Sequence, residues 1–201
     1  APESMIGFVC GALNGSGALM SCRYTVVSKS PVTDGWNDAN SGGTFGPKLR
    51  EAGYDAVFVK GKAEKPVYIY IENGNVEIRS AEKYWKKTTT VQFEKAVEEE
   101  LGKKITAASI SIGGEKLHHM AAVMNDGHRA AGRGGSGAVM GSKNLKAVVV
   151  CGNEKTVPYD KNSVLALNKE AVDWQMNGPV KPVGEMFRNQ GTNGAYESSI
   201  Y

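Results

Sequence analysis

Asn125-Asp126-Gly127-His128-Arg129-Ala130-Ala131-Gly132-Arg133-Gly134-Gly135-Ser136-Gly137 runs on through Ala138-Val139-Met140-Gly141-Ser142-Lys143-Asn144-Leu145. Glycines recur along it, with His128, Arg129, Arg133 and Lys143 between them. Glycine admits positive φ and lets a ligand come close to the main chain. Arginine offers a planar fork of donors matched to phosphate. Successive exposed N–H groups form an anion nest, and a helix start adds partial positive charge. The stretch therefore reads as a phosphate cradle. The plainer alternative is a tight connection that needs small residues for packing. Two arginines among the glycines favour the cradle.

The standard nucleotide loops do not fit. Gly132-Arg133-Gly134-Gly135-Ser136-Gly137 satisfies G-x-G-x-x-G, and Glu154 stands where a ribose-binding acid would. A dinucleotide fold needs an apolar strand running into the first glycine and a full helix after the last. Here polar Asn125 to Arg129 precede the glycines, and the apolar run Ala147 to Val150 follows too soon. Gly137 to Lys143 fails the P-loop spacing, and Ser142 precedes Lys143 instead of following it.

The 201 residues are enough for one domain with a real core, with 41% hydrophobic and 22% charged residues, as in a globular protein. A formal charge of +3 without a basic, aromatic-interleaved stripe argues against nucleic acid as a partner. No apolar run is long enough to span a membrane and no signal peptide opens the chain, so we expect a cytoplasmic protein. The start Ala1-Pro-Glu-Ser-Met reads as that of a fragment. Cys10, Cys22 and Cys151 have no C-x-x-C spacing, which argues for free thiols over a zinc or iron–sulfur site. His118 and His119 are adjacent; on a strand one would face solvent and the other the interior.

Strands are expected at Met5–Cys10, Arg23–Lys29, Ala56–Val59, Ile105–Ile112, Leu117–Met124 and Ala147–Cys151. Val67–Ile71 and Val76–Arg79 around Asn73-Gly74 give the strongest hairpin signal. Helices are expected at Phe45–Ala52, stopped by Gly53, at Thr89–Leu101, stopped by Gly102, and at Tyr159–Gln175. Met186–Tyr201 carries few signals. Short strands without regular βαβ alternation indicate an α+β fold with mixed or antiparallel sheets. Asn40-Ser41-Gly42-Gly43 is a second small-residue patch ahead of a helix, and by composition it and Gly127–Gly137 could face one ligand from two sides. Asp126 and His128 suggest an acid–base pair, but structural roles are the better expectation.

The run Asn125–Gly135, followed by Gly137-Ala-Val-Met-Gly-Ser-Lys-Asn-Leu-Lys-Ala, resembles the signature of the tungsten-containing aldehyde ferredoxin oxidoreductases. Ser28-Lys-Ser-Pro-Val-Thr, Ala39-Asn-Ser-Gly-Gly, Ala52-Gly-Tyr-Asp-Ala, Gly61-Lys-Ala-Glu-Lys-Pro-Val-Tyr and Val76-Glu-Ile-Arg extend the resemblance in order, over roughly Pro2 to Pro158. The chain departs from the family pattern at Gly11-Ala-Leu-Asn-Gly, at Trp85-Lys86 and at Ser111-Ile-Gly-Gly-Glu-Lys.

The resemblance implies a pyranopterin-binding amino-terminal domain over residues 1–158, lacking its first strands, with 159–201 a helix and the start of a further domain. It implies two sheets forming a saddle for a tungsten bis-pyranopterin, with molybdenum as the alternative metal. Carried over by motif, Arg23, Asn40, Gly42, Arg129, Ala130 and Gly132 would contact the cofactor. Asn40 and Ala130 would also hold a magnesium bridging the pterin phosphates. No catalytic residue is expected within the chain. The implied activity is oxidation of an aldehyde or related carbonyl substrate, with ferredoxin as partner and a 4Fe–4S cluster bound outside this chain. A homo-oligomer stays open. The rival reading is a non-catalytic pterin-binding or assembly module completed by a partner subunit. Without the resemblance, Arg23 is as readily a surface charge, and Asn40 a turn residue.

Overall fold

The computed structural model describes residues 3–195, so the chain termini expected to begin at Pro2 and to run through Tyr201 fall partly outside the described residues. Two compact units are present: residues 1–16 with 20–157, and residues 17–19 with 158–201.

The first unit has ten strands: β1 (Ile6–Cys10), β2 (Tyr24–Lys29), β3 (Trp36–Ser41), β4 (Ala56–Val59), β5 (Val67–Glu72), β6 (Asn75–Ser80), β7 (Thr106–Ser109), β8 (Val123–Asn125), β9 (Arg129–Ala131) and β10 (Leu145–Cys151). Its helices are α1 (Phe45–Glu51), α2 (Thr90–Leu101), α3 (Ile112–Glu115) and α4 (Ser136–Ser142). Among the described residues the strands form a four-stranded sheet, β3-β2-β1-β4, and a six-stranded sheet, β6-β5-β10-β7-β8-β9. All pairings are antiparallel except β10 with β5. The α+β class with two antiparallel or mixed sheets is what the sequence led us to expect.

The two sheets contain the same unit twice. The order β3-β2-β1-β4 recurs as β9-β8-β7-β10, with the same antiparallel neighbours and with a seven-residue helix, α1 or α4, between its third and fourth strands. Ile6, Phe8, Tyr24 and Val26 of the first repeat share one core with Ala108, Val148 and Val150 of the second and with Ile71 of β5. The alternate residues Ala147 and Val149 face the other way, into a second core under Phe93 and Val97 of α2. β10 is thus buried on both faces, which its run of branched residues anticipates. The corresponding outer face of the four-stranded sheet stays open, with a groove of about 450 Å³ lined by Met5, Gly7, Val27, Lys29, Trp36 and Phe58.

Local chemistry explains the best-anticipated elements. Asn73 and Gly74 take φ of 44° and 82°, the two positive values a type I′ hairpin turn requires. Thr89 caps α2 in a capping box with Gln92, and Gly102 ends it in the left-handed region. Other expectations are corrected. Leu117–Met124 is not one strand: Leu117 sits at φ 62°, and only Val123–Asn125 pairs. Ile105–Ile112 shortens to β7, because Ile112 begins α3. His118 and His119 lie in the turn after α3 and both are exposed. Three short elements, β3, β9 and α3, had no sequence signal.

In the second unit α5 (Lys161–Asn177) is capped by Asp160, whose carboxylate accepts from Ser163 N–H. Asn168 binds back to Gly17 and Leu19. α6 (Lys181–Gln190) carries Pro182 in its first turn, where proline is compatible with a helix. A 3-10 turn follows at Gly191–Asn193. Among the described residues no helix is long and apolar enough to cross a membrane.

Candidate functional site

Equivalent ends of the two repeats meet. β3 ends at Ser41 and runs through Gly42 and Gly43 into α1; β9 ends at Ala131 and runs through Gly132 to Gly135 into α4. The cross-strand pairs Tyr24–Ser41 and Thr25–Asn40 correspond to Val123–Ala131 and Met124–Ala130. Asn40 and Ala130 therefore occupy equivalent positions, as do Gly42 and Gly132.

The sequence-derived site residues divide as follows. Arg23, one residue before β2, is exposed and donates from Nη1 to Asn40 Oδ1 at 2.8 Å. Arg129, in β9, is exposed, and its Nη1 lies 3.4 Å from the position a Cβ on Gly42 would take. Ala130 and Gly132 are exposed alongside it, and a Cβ on Gly132 would meet nothing within 4 Å. Arg23 thus binds Asn40, Arg129 of the other repeat lies against Gly42 two residues further along the chain, and Ala130 and Gly132 follow Arg129 within three residues. Among the described residues neither arginine forms an ion pair. Two exposed guanidinium groups beside open, glycine-lined backbone are donors of the chemistry that suits an anion. Because α1 and α4 have only seven residues each, the arginines and main chain, more than helix ends, supply the charge.

Gly43 fixes how tightly the repeats join. It takes φ 95°, and a Cβ there would overlap Asp126 Oδ2 and lie 2.6 Å from Arg129 Cδ. Asp126, itself at φ 48°, accepts from Thr44 N–H at 2.6 Å and from the Thr44 hydroxyl at 2.5 Å. It is therefore a structural acceptor, not half of an acid–base pair with exposed His128. Buried Asn125 reaches across to Tyr24, Ser41 and Gly42. A second tie joins Asn37 Nδ2 to Ser136 Oγ at 2.7 Å, and the Ser30 hydroxyl donates to Gly134 O at 2.9 Å. Burial pushes the Tyr24 phenol far above its ordinary pKa, so its hydroxyl stays a donor.

The remaining candidates lie elsewhere. Lys143 is buried and donates to the carbonyls of Ser4 and Gly61 at 2.5 and 3.2 Å, so it anchors chain instead of facing a ligand. Arg133 is exposed. Glu154 lies by Gly53, beyond the end of α1, and α4 is too short for a dinucleotide crossover helix. Sequence reasoning missed Tyr24, Ser41, Thr44 and Asn125, because their roles arise only from the pairing of the repeats.

Comparisons with known proteins bear on the family and the fold. The family described as aldehyde ferredoxin oxidoreductase, N-terminal domain, matches residues 1–152. The chain is 51% identical over 181 residues to the tungsten-containing aldehyde ferredoxin oxidoreductase of Pyrococcus furiosus, covering 89% of this chain and 30% of that protein. It is 38% identical to an aliphatic sulfonate oxidoreductase, WOR-like subunit, of the same organism, covering 84% of this chain and 29% of that one. Among solved structures, the active site complex BamBC of benzoyl coenzyme A reductase with 1,5-dienoyl-CoA superposes with a TM-score of 0.83 at 35% identity, covering 86% of this chain and 26% of the other. The chain spans about 30% of the length of its curated relatives. It belongs to the aldehyde ferredoxin oxidoreductase family, matching that family's N-terminal domain.

Proposed function

We propose that this chain is the part of a tungsten pyranopterin oxidoreductase that grips the phosphate groups of its cofactor, with molybdenum as the alternative metal. The complete polypeptide would oxidise aldehydes to carboxylic acids and pass the electrons through a 4Fe–4S cluster to ferredoxin, in the cytoplasm. The observation that carries this reading is the convergence of Arg23, Asn40, Gly42 and Arg129 from two repeats onto one exposed strip.

The strip suits the group chemically. Phosphate oxygens take guanidinium forks and main-chain N–H donors, and the open space over Gly132 leaves room for close approach. Arg23 and Arg129 would each take a phosphate. Asn40 and Ala130, at equivalent places, would hold a magnesium between the phosphates. Because Arg23 occupies Asn40 Oδ1, the Asn40 contribution would come from its main chain: a divalent ion on that oxygen would sit against a guanidinium. When bound, the metal centre would supply the two-electron chemistry; this domain's share is binding and orientation.

The test is aldehyde-dependent reduction of ferredoxin by the complete polypeptide, purified anaerobically from a tungstate-supplemented host. Activity that disappears in protein from a tungstate-free host is expected. Tungsten-loaded protein that oxidises no aldehyde would remove the substrate assignment. Cofactor-loaded protein that turns over only with a second subunit would favour the assembly-module reading.

A further inference from the structure

Asn125 is 2% exposed and ends β8. Its Oδ1 accepts from the Tyr24 hydroxyl at 3.1 Å and the Ser41 hydroxyl at 2.8 Å. Its Nδ2 donates to the Gly42 carbonyl at 2.9 Å and to Asp126 Oδ2 at 3.0 Å. A carboxamide has two donor protons and two acceptor lone pairs, and here all four are used. The amide orientation is also unique: reversed, its oxygen would face a carbonyl and a carboxylate, neither able to donate. Three of the four partners belong to the first repeat, while Asn125 belongs to the second. Asp126, the fourth, grips Thr44. The Gly42–Thr44 segment is thus held by adjacent residues of the repeat that also carries Arg129.

We infer that Asn125 is a positioning residue for anion binding. Its amide fixes the Gly42 peptide relative to Arg129 and so sets the spacing between the phosphate donors of the two repeats. This rests on the cradle reading above, and it assigns to Asn125 a role beyond general core stability.

The test is calorimetric titration of the complete apo-polypeptide with magnesium pyrophosphate, at a temperature where every variant is folded. Asn125→Asp keeps the size but puts an oxygen where Nδ2 donated. Its Kd is expected to rise about tenfold or more, as for loss of a buried donor. Tyr24→Phe leaves Ser41 as donor to Oδ1, and a rise of about two- to threefold is expected. Val148→Ala, in the core shared by both repeats, is expected to lower the melting temperature without changing Kd. The inference is overturned if Asn125→Asp binds like the wild type. It is also overturned if Val148→Ala weakens binding as much for an equal loss of melting temperature. If Asn125→Asp does not fold, Tyr24→Phe and Ser41→Ala decide: graded weakening supports the role, and unchanged Kd overturns it. A folded wild type that binds no magnesium pyrophosphate overturns the cradle reading and this inference together; binding by the wild type with none lost in the variants overturns this inference alone.

Discussion

A single methyl group at Gly43 would press against Asp126 and Arg129 of the other repeat. Position 43 combines positive φ with an overlap on Asp126, so Gly43→Ala is expected to lower stability by about 1–3 kcal/mol in urea unfolding. An unchanged midpoint would show that the Asp126–Thr44 tie tolerates displacement. Cys10 offers a test at the same scale. Burial pushes its thiol up to about 11, with Arg50 pulling modestly the other way, and Sγ donates to Gly46 O at 3.3 Å. The folded value lies above the unfolded one, so the stability this proton contributes is intact below the ordinary thiol range and lost as pH rises through about 11. Native Cys10 should therefore resist iodoacetamide at about pH 8 and react normally in urea, read by mass spectrometry; rapid native labelling would contradict the burial. Residue-scale legibility was uneven. Arg129 and Gly42 stood out by type, whereas Asn125 has no role in the sequence until Tyr24, distant along the chain, is seen to bind it.

Among the elements, α3 is held by charge. Glu115 and Lys146 have fully buried side chains and pair with each other. Lys146 also donates to Thr88 O at 3.2 Å, and Glu115 Oε2 accepts from Lys86 N–H at 2.7 Å. Burial draws the Lys146 ammonium below its usual pKa, while Glu115 opposes that shift. Removing one partner strands the other charge, so Lys146→Met is expected to cost about 3–5 kcal/mol. Lys146→Met with Glu115→Leu should recover much of it. Equal destabilisation in the single and double variants would contradict the pairing. Elements whose cause is local, the β5–β6 hairpin and α2 with its capping box, were legible. β3 was not: Trp36-Asn-Asp-Ala-Asn-Ser lacks branched residues, and its inward Asn37 and Ser41 make their shortest side-chain hydrogen bonds to Ser136 and Asn125 of the other repeat.

At the scale of the whole molecule, duplicated topology is what brings distant glycine patches together. It was hidden in the sequence because equivalent positions carry different residues, Asn40 and Ser41 against Ala130 and Ala131, with Gly42 and Gly132 alone in common among them. Stability is expected to be uneven across the chain. β10 is almost wholly buried, whereas α5 and α6 contain no buried residue among those described. Amides of β10 should exchange only through global unfolding, and those of α5 and α6 much sooner; comparable protection in all three would contradict this ranking. The central claim, that the paired repeats grip a tungstopterin by its phosphates, is tested most directly by the tungsten and pterin content of the complete polypeptide made in a tungstate-supplemented anaerobic host. The account predicts near-stoichiometric tungsten and pterin in the wild type, and loss of both from folded Arg129→Ala protein. Equal tungsten and pterin in the two proteins, or none in a well-folded wild type, would contradict it.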